Sequence, residues 1–181
     1  MLGSSIVHGF SASRPGMTLP ARMSHATGID FINLGISGEC KLQLALADAI
    51  ANTQADAFLL DCFSNPSSDE IEKYFDDFVA RIRINHPQIP LIFVQTLIRE
   101  SGNFNLKLYS FERRKRWMAE QKMGQLMKSD PYVYFINPGM DVGCDHEGTI
   151  DGIHPTDLGF TRIIEGIQTE IIEILKNATN D

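Results

Sequence analysis

The chain has 181 residues, 43% of them hydrophobic and 22% charged, with a formal net charge of -7. That length suits one domain with a substantial core, running from residue 1 to 181. The acidic balance argues against nucleic acid as a partner, and no apolar run is long enough to span a bilayer. No signal peptide is evident, because Met1 is followed almost at once by Gly3-Ser4-Ser5. Cys40, Cys62 and Cys144 are odd in number, lack metal-type spacing and read as buried free thiols. The basic run Arg113-Arg114-Lys115-Arg116 falls in a helical pattern and reads as a solvated helix face.

Met1-Leu2 reads as the tail of a strand that is cut short before Gly3, either truncated in this chain or begun by residues upstream. Ser11–Pro20 is turn-rich, and Leu19–Thr27 reads as a short helix ending at Gly28. Asp30–Ile36 reads as a strand and Cys40–Asn52 as a helix. Ala57–Leu60 is a short, wholly apolar strand of the buried kind. The next helix, Asp69–Asn85, is capped by Ser67 or Ser68 and buries Ile71, Phe75, Phe78, Val79 and Ile82 at three- and four-residue spacing.

Pro90–Thr96 is another apolar strand, and Leu97–Leu106 is a polar loop. Tyr109–Lys128 is a long helix whose Trp117 and methionines read as core. Val133–Ile136 is a strand, Pro138–Ile150 a loop, and Thr156–Lys176 the final helix. Alternating helices with short apolar strands predict a parallel sheet covered on both faces, a three-layer α/β/α arrangement. In such sheets the chemistry gathers in loops after the strand carboxyl ends.

Four stretches stand at such places. Gly3-Ser4-Ser5-Ile6 follows the first strand, Gly35-Ile36-Ser37-Gly38 the second, and Asp61-Cys62-Phe63-Ser64-Asn65 the third. Asp151-Gly152-Ile153-His154 precedes the last helix. Pro155 restricts His154 to extended backbone, and Thr156 is an N-cap candidate with Asp157 in the first turn. An imidazole on a loop anchored to a packed helix is held as a base needs to be held, and Asp151 is close enough to accept a hydrogen bond from one ring nitrogen.

In this order the four stretches resemble the SGNH (GDSL-type) hydrolase superfamily over nearly the whole chain. The opening Gly3-Ser4-Ser5-Ile6 with Ala12-Ser13-Arg14-Pro15-Gly16 is similar to a bacterial branch of it. Any one piece is a weak signal; the ordered set is a strong one. The resemblance implies a flavodoxin-like parallel sheet and a serine esterase that needs no metal or cofactor. It matches Ser5 to the nucleophile, His154 to the general base and Asp151 to the carboxylate that orients it. It matches the Ser5 and Gly38 N–H groups and the Asn65 side-chain amide to the oxyanion hole. Small acyl esters, acetyl groups on carbohydrate among them, are the implied substrates. Two departures stand out: Ser4 replaces the usual Asp, and Asp61-Cys62-Phe63-Ser64-Asn65-Pro66 replaces the usual Gly-x-Asn-Asp.

Chemistry and resemblance agree. A serine hydroxyl attacks well only when a neighbouring base takes its proton, and a glycine leaves backbone open to substrate. His8 and Arg14 are further candidates for touching substrate, weighed against a surface histidine and a loop-stabilising arginine. Cys144-Asp145-His146-Glu147 reads poorly as a metal site, because adjacent residues rarely converge on one ion. Two alternatives use the same residues or the same fold: an acyltransferase with a non-water acceptor, and a binding module without catalysis.

Overall fold

In the computed structural model, which describes residues 1–139 and 142–178, five strands form one wholly parallel sheet in the order β2-β1-β3-β4-β5. The strands are β1 (Leu2–Gly3), β2 (Leu34–Gly35), β3 (Phe58–Asp61), β4 (Leu91–Val94) and β5 (Val133–Ile136). This is the flavodoxin-like strand order, and it sends all five carboxyl ends to one rim. β1 pairs with β2 on one side and β3 on the other, through Leu2 opposite Leu34 and Leu60 and Gly3 opposite Gly35 and Asp61.

Strands β3 and β4 are buried at every position, as expected of wholly apolar runs. The strand expected over Asp30–Ile36 contracts to Leu34–Gly35, for a physical reason. β1 presents only Leu2 and Gly3 for pairing, and the residues before Leu34 are largely exposed. The helix expected over Cys40–Asn52 starts later, as α3 (Leu44–Ala51). Leu42 has φ 63°, a left-handed conformation that a helix cannot contain.

The other helices are α1 (Ser5–His8), α2 (Leu19–Thr27), α4 (Ser68–Asn85), α5 (Leu106–Ser129) and α6 (Asp157–Ala178). Ser67 caps α4 through a reciprocal box: its hydroxyl accepts from the Glu70 N–H at 3.2 Å, and its own N–H donates to Glu70 at 2.7 Å. α5 begins earlier than its periodicity suggests because the Asn105 side chain accepts from the Lys107 and Leu108 N–H groups, both at 3.1 Å. A short 3₁₀ segment, Glu100–Phe104, leads into it.

Two apolar layers sandwich the sheet. On one face α3, α4 and α5 contribute Ile50, Phe75, Phe78, Ile82 and Met123, packed with Phe63 and Phe93. On the other, α2 and α6 contribute Leu19, Met23, Phe160, Ile163, Ile167 and Ile171.

Helix α5 corrects three expectations. Its buried face is Glu112, Lys115, Ala119 and Met123, so the basic run is not wholly solvated: Lys115 is 1% exposed. Trp117 lies about 200° around the helix from Lys115 and is 56% exposed rather than core. Met127 is exposed as well. Among the thiols, Cys40 and Cys62 are buried, with sulfurs 3.4 Å apart, but Cys144 is exposed.

Phe75 is fully buried, with its ring centroid 5.7 Å from Phe63 and 5.4 Å from Phe93. Phe75→Ala is expected to cost about 3–5 kcal/mol of stability, read as a lowered urea midpoint at unchanged slope.

Candidate active site

The tight β1–α1 turn sets the first group. Ser4 is the N-cap of α1: its hydroxyl accepts from the Ile6 N–H at 3.2 Å and donates to Asp61 at 2.8 Å. Ser5 follows as the first helical residue, only 8% exposed. The turn packs so closely on β2 that a Cβ at Gly35 would lie 2.1 Å from the His8 backbone nitrogen. No side chain fits there, which fixes glycine at that position.

The two departures from the family pattern meet each other. Asp61, at the end of β3, receives Ser4 at 2.8 Å and Ser64 at 3.0 Å. Burial raises its carboxyl above the ordinary value, while the Ser4 and Ser64 hydrogen bonds and the Arg99 charge pull the other way. The β1 turn and the β3 loop are thereby tied together beneath the rim.

The second group comes from the far end of the chain. Residues 149–155 form a turn closed by an antiparallel bridge between Thr149 and Pro155 and by the Ile150 N–H donating to the His154 carbonyl at 2.9 Å. Thr156 caps α6, accepting from the Gly159 N–H at 3.2 Å. Within the turn, Asp151 accepts the His154 N–H at 2.7 Å and the Ile153 N–H at 2.9 Å through one oxygen. Its other oxygen lies 2.7 Å from His154 Nδ1. Partial burial opposes ionisation of Asp151, but these hydrogen bonds outweigh it and hold its carboxyl below the ordinary value.

The carboxylate can only accept, so Nδ1 carries a proton and, in the neutral ring, Nε2 is the acceptor. Ser5 Oγ stands 2.9 Å from Nε2, across 149 residues of sequence. The structure therefore brings Ser5, His154 and Asp151 into one hydrogen-bonded line. Gly38 and Asn65 lie in the loops after β2 and β3, the two strands that flank β1. Gly38 has φ 76°, in the left-handed region that favours glycine, and open space where a side chain would be. Asn65 is half-buried, and its carboxamide oxygen is buried without a hydrogen-bond partner.

Several contributors were not identified from sequence. Phe10, 53% exposed, packs its ring 4.4 Å from the His154 ring. Ser11 donates to the Pro155 carbonyl at 3.0 Å, and Ser13 donates its N–H to Asp157 at 3.0 Å and its hydroxyl at 2.5 Å. The loop after α1 thus clasps the start of α6, which explains the Ala12-Ser13-Arg14-Pro15-Gly16 run physically. Arg14 is exposed and donates to Ser13 at 3.4 Å; its charge, after the Ser13 bonds, helps keep Asp157 below the ordinary carboxylate value. His8 is exposed at the end of α1. Asp145 pairs with Arg162 at 2.6 Å and His146 with Glu100 at 3.0 Å, so these two run to different partners. Glu100 also accepts from Thr149, and the Ser101 N–H donates to the Gly152 carbonyl at 3.0 Å, which braces the Asp151–His154 turn from the β4 side.

A solved structure from Bacteroides ovatus described as a GDSL-like lipase is similar over 97% of this chain and 52% of its own, with 48% identity and a TM-score of 0.92. The salicylyl-acyltransferase of a tetracycline biosynthetic pathway shares the fold at 22% identity and a TM-score of 0.76, over 96% of this chain and 53% of its own. A carbohydrate esterase family 3 protein from Talaromyces cellulolyticus shares it at 17% identity and a TM-score of 0.72, over 98% and 97%. The chain spans about half the length of the first two. No curated protein matches it. The model of the GDSL-like lipase/acylhydrolase family matches residues 1–172. With its parallel sheet and a serine at the carboxyl end of β1, this chain belongs to the GDSL-like lipase/acylhydrolase family.

Proposed function

We propose that the chain is a serine esterase acting on small acyl esters, acetyl esters of carbohydrate foremost, through Ser5, His154 and Asp151. One observation carries the reading: Ser5 Oγ at 2.9 Å from His154 Nε2, with Nδ1 at 2.7 Å from Asp151. A carbohydrate ester is supported by likeness to the carbohydrate esterase.

In the first half-reaction Ser5 Oγ attacks the ester carbonyl carbon as His154 Nε2 takes the hydroxyl proton. The carbonyl π pair moves onto oxygen and forms a tetrahedral oxyanion. The Ser5 and Gly38 N–H groups and the Asn65 amide donate to it, each such donor being worth roughly 10²–10³ in rate. Collapse expels the alkoxide, which receives the proton from His154 and leaves an acyl-Ser5. Water then attacks that acyl carbon, giving its proton to Nε2, and the second collapse returns the proton to Ser5. Asp151 holds the ring in the productive tautomer and stabilises the imidazolium without taking a proton. Transfer to an alcohol acceptor uses the same steps, with the acceptor hydroxyl in place of water; the fold shared with an acyltransferase favours it as the second reading.

Ser5→Ala and His154→Ala are each expected to lower p-nitrophenyl acetate turnover by at least about 10³-fold with far-ultraviolet circular dichroism unchanged. A fluorophosphonate probe is expected to label wild type once per chain, at Ser5. Equal turnover in Ser5→Ala, or silence of the probe on folded protein, overturns the esterase and favours a binding module. Product analysis with added sugar acceptors separates hydrolysis from transfer.

Asp151 also gives a pH expectation. A carboxyl held below its unfolded value contributes stability that is present above that value and lost as pH falls through the lowered one. The stability difference between wild type and Asp151→Asn is therefore expected to be constant at neutral pH and to shrink below about pH 4, read by urea midpoints from pH 3 to 7. Turnover falls in the variant at every pH, because an amide at that position permits the wrong ring tautomer.

A further inference from the structure

A buried ion cluster lies against the β3 loop, and the catalytic scheme above gives it no part. Lys115 of α5, 1% exposed, is 2.6 Å from Glu112. Arg99, in the loop after β4, is 3.3 Å from the other Glu112 oxygen. Both cations reach the same acceptor: the Ser64 carbonyl receives Arg99 Nη2 at 2.7 Å and Lys115 Nζ at 3.0 Å. That carbonyl belongs to the peptide joining Ser64 to Asn65. The Ser64 hydroxyl donates to Asp61 at 3.0 Å and lies 3.1 Å from the Thr96 hydroxyl.

Two charged donors on one carbonyl are more than a loop needs for simple satisfaction, since one hydrogen bond suffices. Placing a lysine and an arginine in a nearly dry interior opposes folding unless they are paired. The feature at stake is the next side chain. The Asn65 carboxamide oxygen is buried and has no partner, so that oxygen does not anchor the group. The backbone next to it is held instead, through the Ser64 carbonyl.

We infer that Arg99 and Lys115, with Glu112 between them, are positioning residues: they lock the Ser64–Asn65 peptide so that the Asn65 amide is held toward the oxyanion. The kinetic part rests on the esterase reading; the structural part does not. The charge state of Lys115 fits this role. Burial, then the Arg99 charge, push it down to about 8, and Glu112 and Asp61 pull it back, so it remains a cation at neutral pH while facing Arg99, Glu112 and Asp61.

The test uses Arg99→Met and Lys115→Met, each alone and combined with Asn65→Ala. Arg99 lies nearer the surface than Lys115 and serves as the variant that keeps its fold if Lys115→Met does not. With p-nitrophenyl acetate, each single variant is expected to lose about 10–100-fold in kcat, less than outright removal of an oxyanion donor, with KM changed less than about twofold. In the Asn65→Ala background the same substitution is expected to change kcat less than about twofold, because the group it positions is gone. Arg99→Lys is expected to recover part of the loss. An equal loss with and without Asn65 overturns the proposal.

A second readout needs no turnover. The Asn65 side-chain NH₂ pair, observed by ¹⁵N NMR, is expected to shift or broaden in both variants, while amides of β4 and β5 stay in place. An unchanged NH₂ pair overturns the proposal. If the wild type shows no Ser5-dependent turnover, the esterase reading falls alone, and the NMR result still decides whether the cluster positions Asn65.

Discussion

A hydroxyl at position 5 and an imidazole nitrogen at position 154 stand 2.9 Å apart, and most of the structure can be understood by what that contact demands. Neither residue can reach the other alone. Ser5 is fixed by a turn that Gly35 allows to press on β2 and that Ser4 ties to Asp61. His154 is fixed by Pro155, by the Thr149–Pro155 bridge and by Asp151, which grips both the ring and the backbone N–H. A third set of contacts, from Ser11 and Ser13 to Pro155 and Asp157, joins the two loops directly. Each is modest; together they hold two chain segments within the tolerance that proton transfer requires.

The strand-and-helix alternation was legible because buried parallel strands are continuous apolar runs and α4 repeats its apolar residues every three or four positions. Val133–Ile136 was located to the residue. The edges blurred where pairing rather than composition decides. Asp30–Ile36 has the look of a strand but finds only a two-residue partner, and Leu42 breaks α3 by its backbone angle alone. Of the site, Ser5, Asp151 and His154 were legible because their blocks are short and ordered. Phe10 and the Ser13–Asp157 clasp were not, because their contacts cross more than 140 residues of sequence.

Helix α5 shows how charge misleads when read locally. Four basic residues in a row suggest a wet face, yet about 200° of rotation over two residues separates Lys115 inside from Trp117 outside. What brings Lys115 inward is not hydrophobicity but two partners: Glu112 and the Ser64 carbonyl. Such a group is visible only when the carbonyl it serves is known. The buried Asp61 follows the same logic, since its oxygens are taken up by two serine hydroxyls from different loops.

Strand β1, second from one edge of the sheet, precedes both of its neighbours in the chain. During synthesis it emerges before either of them, and β2 and then β3 must arrive before its two residues gain hydrogen bonds on both sides. The loop bearing His154 follows later still, after β5. A nascent chain therefore completes the pairing of β1 once β3 has emerged, and Ser5 meets His154 only after β5 and the loop beyond it have followed.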